Sequence, residues 1–370
     1  MFVRPDFSSF IEAMREPALL ATWPLSRLES TVRYARRANL LASLAERVAA
    51  AGVEVPALDA AFEGARIYAA EHRRFVEWEM QQFAPLAERL AEPVLVLKGG
   101  AYLGMGLSSA AGRLVSDLDL LVPRAALGAF EAEMLADGYQ AQKTDEYDQH
   151  YYREWMHELP PMLHLARGVV VDLHHNIAPS VSRLKIDADA LIERAVPLRE
   201  GLPYLRLCDE DMVLHLCVHM FHDGELNNAL RELFDLDALL RRFGRDETFW
   251  KRLLVRARDL ALMRPLYYGV HFSRSLIGTP VPVEVNRFLQ IAAPLQPARW
   301  VLESAMRRSL LPATGERNGL LRGLSGQLLY LRSHWLRMPP RMLVKHLWTQ
   351  YRRRGGLITG DQAVARGGDV

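Results

Sequence analysis

Asp117 and Asp119 stand two residues apart in Ser116-Asp117-Leu118-Asp119-Leu120-Leu121-Val122. On a strand, alternate side chains share a face, so both carboxylates point one way while Leu118, Leu120 and Val122 enter a core. Two adjacent carboxylates resist ionising together, and a divalent cation that prefers oxygen ligands removes that cost. The pair therefore predicts a magnesium site. A third carboxylate is available in Val169-Val170-Val171-Asp172-Leu173-His174, an apolar run interrupted by one Asp. If this strand lies beside the Asp117 strand, Asp172 completes the cluster. Three carboxylates holding two Mg2+ ions, with Mn2+ as a substitute, are the usual parts of an in-line phosphoryl or nucleotidyl transfer site.

Upstream, Lys98-Gly99-Gly100 follows the apolar run Val94–Leu97 and opens a small-residue stretch. Glycines let a phosphate approach the backbone, amides at a helix start favour an anion, and Lys98 and Arg113 add positive charge. Ser116 adjoins the carboxylate pair. Alternation puts His174 on the Asp172 face, where it can orient a phosphate or a metal-bound water, and His175 on the other. Each feature also has an ordinary reading. Asp117 would be a strand-start cap, Asp172 a surface strand end, Gly99-Gly100 a turn, and His174 a histidine bonded to nearby backbone. Their order along the chain is what makes them specific.

The elements that must carry these residues are legible in the periodicity. Residues 8–90 have helical spacing of Ala, Leu, Arg and Glu. Pro93 breaks the pattern before a short buried strand at 94–97, and a second strand is expected over 117–122. A helix over 125–136 ends at Gly138. Residues 140–160 read as strand and loop, and Arg167-Gly168 turns a hairpin between 162–166 and 169–174. Helical spacing returns over 209–242 and again over 247–350, where Gly278-Thr279-Pro280, Pro312 and Pro339-Pro340 interrupt it. The expected fold is α/β (α+β), a mixed β-sheet core flanked by helices. It divides into an N-terminal helical region (1–92), a catalytic core (93–205), a C-terminal helical domain (206–354) and a flexible tail (355–370).

Composition narrows the class. The 370 residues carry a net charge of +2 and are 50% hydrophobic, which suits a globular chain with a large core and gives no global signal for nucleic acid. Arg4, Asp6 and Glu12 interrupt the first residues, so no secretory signal is expected. No apolar run is long enough to span a membrane, and Cys208 and Cys217 read as buried thiols, so the expected location is the cytoplasm. His215, His219 and His222, with Asp223, imitate a zinc site, but their apolar neighbours favour a helix packed near the cleft. Arg231 and Asp235 have the spacing of a surface ion pair. From Arg307 to Arg354 the only acidic residue is Glu316. This basic segment (307–354), with Trp335, Trp348 and Tyr351, can contact RNA or a membrane surface peripherally. The preferred expectation is a helix that packs its Leu and Trp side inward and solvates its arginines.

Leu97-Lys98-Gly99-Gly100, Arg113, Ser116–Val122 and Val171-Asp172-Leu173-His174, in this order, resemble the DNA-polymerase-beta-like nucleotidyltransferase superfamily. Within it, the chain is most similar to the bacterial family of uncharacterised nucleotidyltransferases. The helical lead-in before Val94 and the stretch 211–240, with His215, His219, Arg231 and Asp235, extend the resemblance over about residues 30–245. It implies two catalytic metals on Asp117, Asp119 and Asp172 and a nucleoside triphosphate such as ATP as donor. Gly99 and Gly100 would cradle the triphosphate with Lys98 or Arg113, beside Ser116 and His174. The separation of Gly100 from Asp117 is longer than in the best-known members, and Gly100 stands where Ser is frequent. The reading is a magnesium-dependent transferase that moves a nucleoside monophosphate to a hydroxyl or phosphate acceptor, with release of pyrophosphate. The acceptor is a small molecule, glycan precursor, protein or RNA. The rivals are a non-catalytic nucleotide- or partner-binding protein with this fold, and a metal-dependent phosphohydrolase using Asp172 and the histidines.

Overall fold

A computed structural model describes residues 6–343, except 143–144, 146–148, 223, 225, 227–228 and 314–318. The first helices form where the periodicity predicts them: α1 (Phe7–Arg15), α2 (Leu25–Arg37), α3 (Leu41–Ala50) and the long α4 (Asp59–Leu90). Asp6 caps α1 by accepting from the amides of Ser8 and Ser9. Ala91 ends α4 in the left-handed region, and the chain passes Pro93 into β1 (Leu95–Val96). Next come α5 (Lys98–Gly104), β2 (Asp117–Leu121) and α6 (Leu127–Asp137). Gly138, at φ +101°, closes α6 and leads into β3 (Tyr139–Ala141).

A π-helical turn at Tyr151–Trp155 precedes β4 (Met162–His164) and β5 (Val170–His174). Those two strands form the expected hairpin, with Gly168 at φ +70° in its turn. Beyond α7 (Ala188–Ile192), β6 (Val196–Pro197) and β7 (Leu205–Arg206) pair with each other, and β7 lies parallel to β1. The seven strands run in the order β3-β4-β5-β2-β1-β7-β6. β6 and β7 were not expected. Each is two residues long, too short to show a period-two pattern.

The chain closes with α8 (Asp209–Phe221), α9 (Leu230–Phe243), α10 (Phe249–Asp259), α11 (Met263–Phe272), α12 (Val283–Leu289), α13 (Ala298–Leu310) and α14 (Gly319–Arg337). One cluster of buried apolar side chains runs from Phe10 through the sheet to Leu329, so sheet and helices share a core. Among the described residues no helix is long and apolar enough to cross a membrane.

α14 reverses the expected packing. It turns Ser325, Leu329, Ser333 and His334 toward the body and leaves Leu321, Leu324, Leu328, Leu331 and Trp335 exposed. Arg322 and Arg332 are drawn in by carbonyls at helix ends. Arg322 Nη1 donates to Arg308 O at 2.7 Å and Leu311 O at 2.6 Å, and Arg332 Nη1 donates to Phe221 O at 2.7 Å. Helix C-termini leave carbonyls without partners and carry negative partial charge, so a guanidinium satisfies both demands. Lys345, Trp348, Tyr351, Arg352, Arg353, Arg354 and the expected tail 355–370 lie outside the described residues.

Candidate active site

β2 and β5 run side by side in parallel, with Asp119 opposite Asp172 and Asp117 opposite Val170. Residues directly opposite in a ladder point to the same face, and side chains two apart share it. Asp117, Asp119 and Asp172 therefore occupy one side of the β2–β5 pair. Leu118, Leu120, Val171 and Leu173 fill the core. Asp119 is buried, while Asp117 and Asp172 are half-buried.

Asp119 Oδ1 accepts from Lys98 Nζ at 3.1 Å and lies 3.0 Å from His174 Nε2. Burial alone would raise the Asp119 pKa, but the Lys98 ammonium and the His174 ring pull it well below the carboxylate range. Lys98 is correspondingly held charged; Asp119 outweighs its burial. His174 is also pushed up, because its bond to Asp119 and the nearby Glu158 outweigh desolvation. Lys98 sits at φ +39°, an uncommon conformation for a residue with a side chain, at the first position of α5.

The other two carboxylates are under-compensated. Asp172 is pushed up to about 7 by burial and then by the charge of Asp119. Its Oδ1 is buried and has no hydrogen-bond partner. Asp117 is raised by burial and by Asp119, although Ser116 Oγ donates to its Oδ1 at 3.2 Å. A buried acceptor without a donor, beside carboxylates that resist ionisation, fits a site for a divalent cation on Asp117, Asp119 and Asp172.

A neighbouring stretch completes the environment and was missed in the sequence. Glu158 bridges to His174 in the sheet, flanked by His175 N to His157 O at 2.8 Å and Leu159 N to Leu173 O at 2.9 Å. Glu158 Oε2 lies 3.3 Å from His174 Nδ1. His157, Glu158 and His174 together offer ligand atoms within 4.8 Å of one another. Burial holds the His157 ring neutral, with its pKa well below the ordinary value. Nothing in the sequence links His157-Glu158 to His174; only the bridge brings them together.

Gly99 and Gly100 have a packing cause. Both are buried, and a Cβ on Gly99 would stand 2.7 Å from Arg113 Nη1. A Cβ on Gly100 would stand 2.7 Å from Val96 Cγ1 and 3.1 Å from Leu118 Cδ1. Arg113 is buried over the Tyr102 ring, and its Nε donates to Asp235 Oδ2 at 3.1 Å. Arg231 Nη1 lies 3.5 Å from the same oxygen. Two expectations change here. The Arg231–Asp235 pair is not a surface pair, since α9 buries Asp235 in the core. Arg113 is committed to that carboxylate instead of standing open to a phosphate. A cavity of about 650 Å3 between α1, α3 and α9 includes Arg231 and Asp235 in its wall, and so meets the site only through this network.

The histidines of α8 take separate partners. His215 is buried near Lys98 and held neutral by that burial, His219 pairs with Glu232 at 3.6 Å, and His222 Nε2 lies 2.9 Å from Ser182 Oγ. This agrees with a helix packed near the cleft; Asp223 lies outside the described residues. Among the described residues, the group able to hold a metal through histidine is His157, Glu158 and His174.

A family model described as uncharacterised nucleotidyltransferase matches residues 26–278. The chain belongs to this family. The match holds the whole sheet, the three carboxylates, Lys98, His174 and the Arg113–Asp235 pair, and it ends before α12, α13 and α14. A comparison with curated proteins finds no match. Family membership supplies the general kind of reaction, nucleotidyl transfer, for which divalent metals are the usual cofactors.

Proposed function

We propose that this nucleotidyltransferase moves a nucleoside monophosphate from a nucleoside triphosphate to a hydroxyl or phosphate oxygen, with release of pyrophosphate. The observation that carries this reading is the parallel register of Asp119 with Asp172, which leaves Asp172 Oδ1 buried and unpartnered beside Asp117. Asp117, Asp119 and Asp172 would hold magnesium, and manganese by the same oxygen chemistry. Bound there, divalent cations supply charge neutralisation for the triphosphate and greater acidity for the acceptor hydroxyl.

The chain's own residues do the remaining work. The acceptor oxygen attacks the α-phosphorus, the bond to the β-phosphate oxygen breaks, and pyrophosphate leaves. Asp172 would help take the acceptor's proton, being the carboxylate of the three that lies opposite Asp119 without a donor of its own. Lys98 and His174 both bond Asp119 at Oδ1, which fixes that carboxylate and keeps it ionised. Lys98 also brings positive charge to the place where the triphosphate must lie, beside Gly99, Gly100 and Ser116. Arg113 acts through position: held by Asp235, it fills the space above Gly99 and fixes the start of α5. Glu158 adds negative charge on the other side of His174, 3.3 Å from Nδ1 and without a hydrogen bond to it.

The test is incubation of the full chain with Mg2+, a cell extract and each α-labelled triphosphate in turn. A labelled acceptor and stoichiometric pyrophosphate are expected, both absent in Asp119→Asn. The histidines around Glu158 favour one competing reading, metal-dependent phosphate hydrolysis, which predicts inorganic phosphate and no labelled acceptor.

A further inference from the structure

Outside the matched family region, α14 presents an apolar stripe left half open by the described structure, with Arg183 lying over the ring of Trp335 at one end. Leu321, Leu324, Leu328, Leu331 and Trp335 are 38–53% exposed. Spacings of three and four residues place them on one stripe of the helix. The opposite side meets the body through one apolar residue, Leu329, and through Ser325, Ser333 and His334. A helix stabilised only by packing inside the molecule would show the reverse pattern.

We propose that this outer face of α14 docks on an anionic phospholipid membrane, lying in the plane of the interface. Charge selects this occupant. α14 has no acidic residue, and with Arg322 and Arg332 turned to the body the charge free to face a partner comes from the exposed Arg341 and from the basic sequence that follows, with Lys345, Arg352, Arg353 and Arg354 before any acid. An apolar stripe with an aromatic residue, in a segment of one positive sign, is the composition that partitions into an anionic headgroup region. A second copy is disfavoured, since two such stripes brought together would align like charges with no carboxylate to answer them. RNA is disfavoured because Arg322 and Arg332 spend their guanidinium groups on backbone carbonyls of the body, leaving leucines outermost.

The surface is joined firmly to the catalytic half. Arg183, in the loop that leaves β5, lies 4.6 Å from the Trp335 ring centroid, and its amide donates to Leu336 O at 3.4 Å. Arg332 ties the same helix to the end of α8, which carries His215 near Lys98. Docking through α14 would therefore hold the nucleotidyltransferase core at a membrane surface and favour acceptors found there.

Flotation of the full chain with vesicles tests the proposal. Equimolar phosphatidylglycerol and phosphatidylcholine should carry the protein, and phosphatidylcholine alone should not. The double variant Leu324→Glu/Leu328→Glu should bind anionic vesicles roughly tenfold or more weakly. Both side chains already face solvent, and the thermal transition reports whether the variant folds. Independently, brominated phosphatidylglycerol should quench tryptophan emission in the natural chain and lose most of that effect in Trp335→Phe. Undiminished binding by the double variant would overturn the proposal. So would equal capture by neutral vesicles, quenching unchanged in Trp335→Phe, a concentration-dependent dimer dissolved by the double variant, or capture of single-stranded RNA in place of vesicles.

Discussion

The β2–β5 face and the outer face of α14 break the ordinary burial rule in opposite directions. The first takes Asp119, His174 and the partly covered Lys98 out of water; the second puts leucines and a tryptophan into it. Their internal partners differ as well. In the sheet, Asp119 is compensated by Lys98 and His174, and the deficit falls on Asp117 and Asp172. On α14 the body satisfies Arg322 and Arg332, and the larger deficit is exposed apolar area. Buried charge without enough countercharge calls for a cation; exposed apolar surface beside cations calls for an anionic, apolar phase. The two regions therefore point to different ligands by the same logic, that of the demand each leaves unmet.

The largest expected effect separates two carboxylates that look equivalent in sequence. Asp119→Asn should lower magnesium-dependent transfer by orders of magnitude. It should also destabilise the metal-free protein by about 3–5 kcal/mol, because Lys98 and His174 would lose their common partner. Like-charge repulsion between Asp117 and Asp119, taken alone, predicts unchanged or higher stability; the Lys98 and His174 bonds reverse that sign. Asp172→Asn should abolish transfer equally, yet leave the metal-free protein as stable or more so at pH 8. Thermal unfolding with chelator, alongside labelled-product formation, decides both. Equal stability changes in the two variants would remove the asymmetry assigned here.

A pH series sharpens the same contrast. The Asp172 pKa is raised from 3.8 to about 7, so the folded state favours the protonated form. Its ionisation subtracts from stability progressively as pH rises from about 4 to about 7, and the loss is constant above that. The raised His174 pKa works in the same direction: its stabilisation is complete below the ordinary histidine value and is lost as pH rises through the folded value. The buried histidines His157, His175, His215 and His222, whose pKa values are lowered, oppose this by costing stability as pH falls toward 5. The Asp172 contribution is therefore read as a difference between variants: the advantage of metal-free Asp172→Asn over the natural chain should be larger at pH 8 than at pH 5, by on the order of 2 kcal/mol. Saturating magnesium should cancel that advantage of the variant, because the ionised Asp172 then has a countercharge. Chemical denaturation at fixed pH steps measures this.

Gly100→Ala carries a smaller cost, about 1–3 kcal/mol, since the added methyl would press on Val96 and Leu118 behind the catalytic face. Denaturation midpoints measure it. A loss of triphosphate binding much larger than that destabilisation would show that Gly100 also serves the phosphate directly.

Much of the sheet face was legible in the sequence. Asp-x-Asp on an apolar strand fixes the shared face, and the apolar run around Asp172 predicts the second strand and its side. The parallel alignment that sets Asp119 against Asp172 could only be stated as a condition, since register between strands about fifty residues apart leaves no local trace. Glu158 was unreadable for the same reason: a single bridge to His174, not spacing, gives it a place. Arg113 was misjudged because its partner, Asp235, lies far along the chain. On α14 the composition was visible but its orientation was not. Which side of a helix rich in both Leu and Arg faces inward depends on where unpaired carbonyls of other helices lie, and Arg308, Leu311 and Phe221 supply those from distant segments.

The smallest expected effect tests whether the α14 face is independent of the sheet. Leu328→Glu removes no buried side chain and breaks no hydrogen bond of the described structure, so its stability in solution should change by no more than about 0.5 kcal/mol. Transfer to a water-soluble acceptor should also be unchanged, because Lys98, Asp117, Asp119 and Asp172 all lie within the family match and α14 lies beyond it. Transfer measured on vesicles carrying a membrane-bound acceptor should fall in step with the loss of vesicle binding. If the single variant instead lowers transfer in free solution while the thermal transition holds, the influence must run through Arg183 or Arg332 into the loop after β5 and the end of α8. The outer face and the catalytic face would then be one coupled unit.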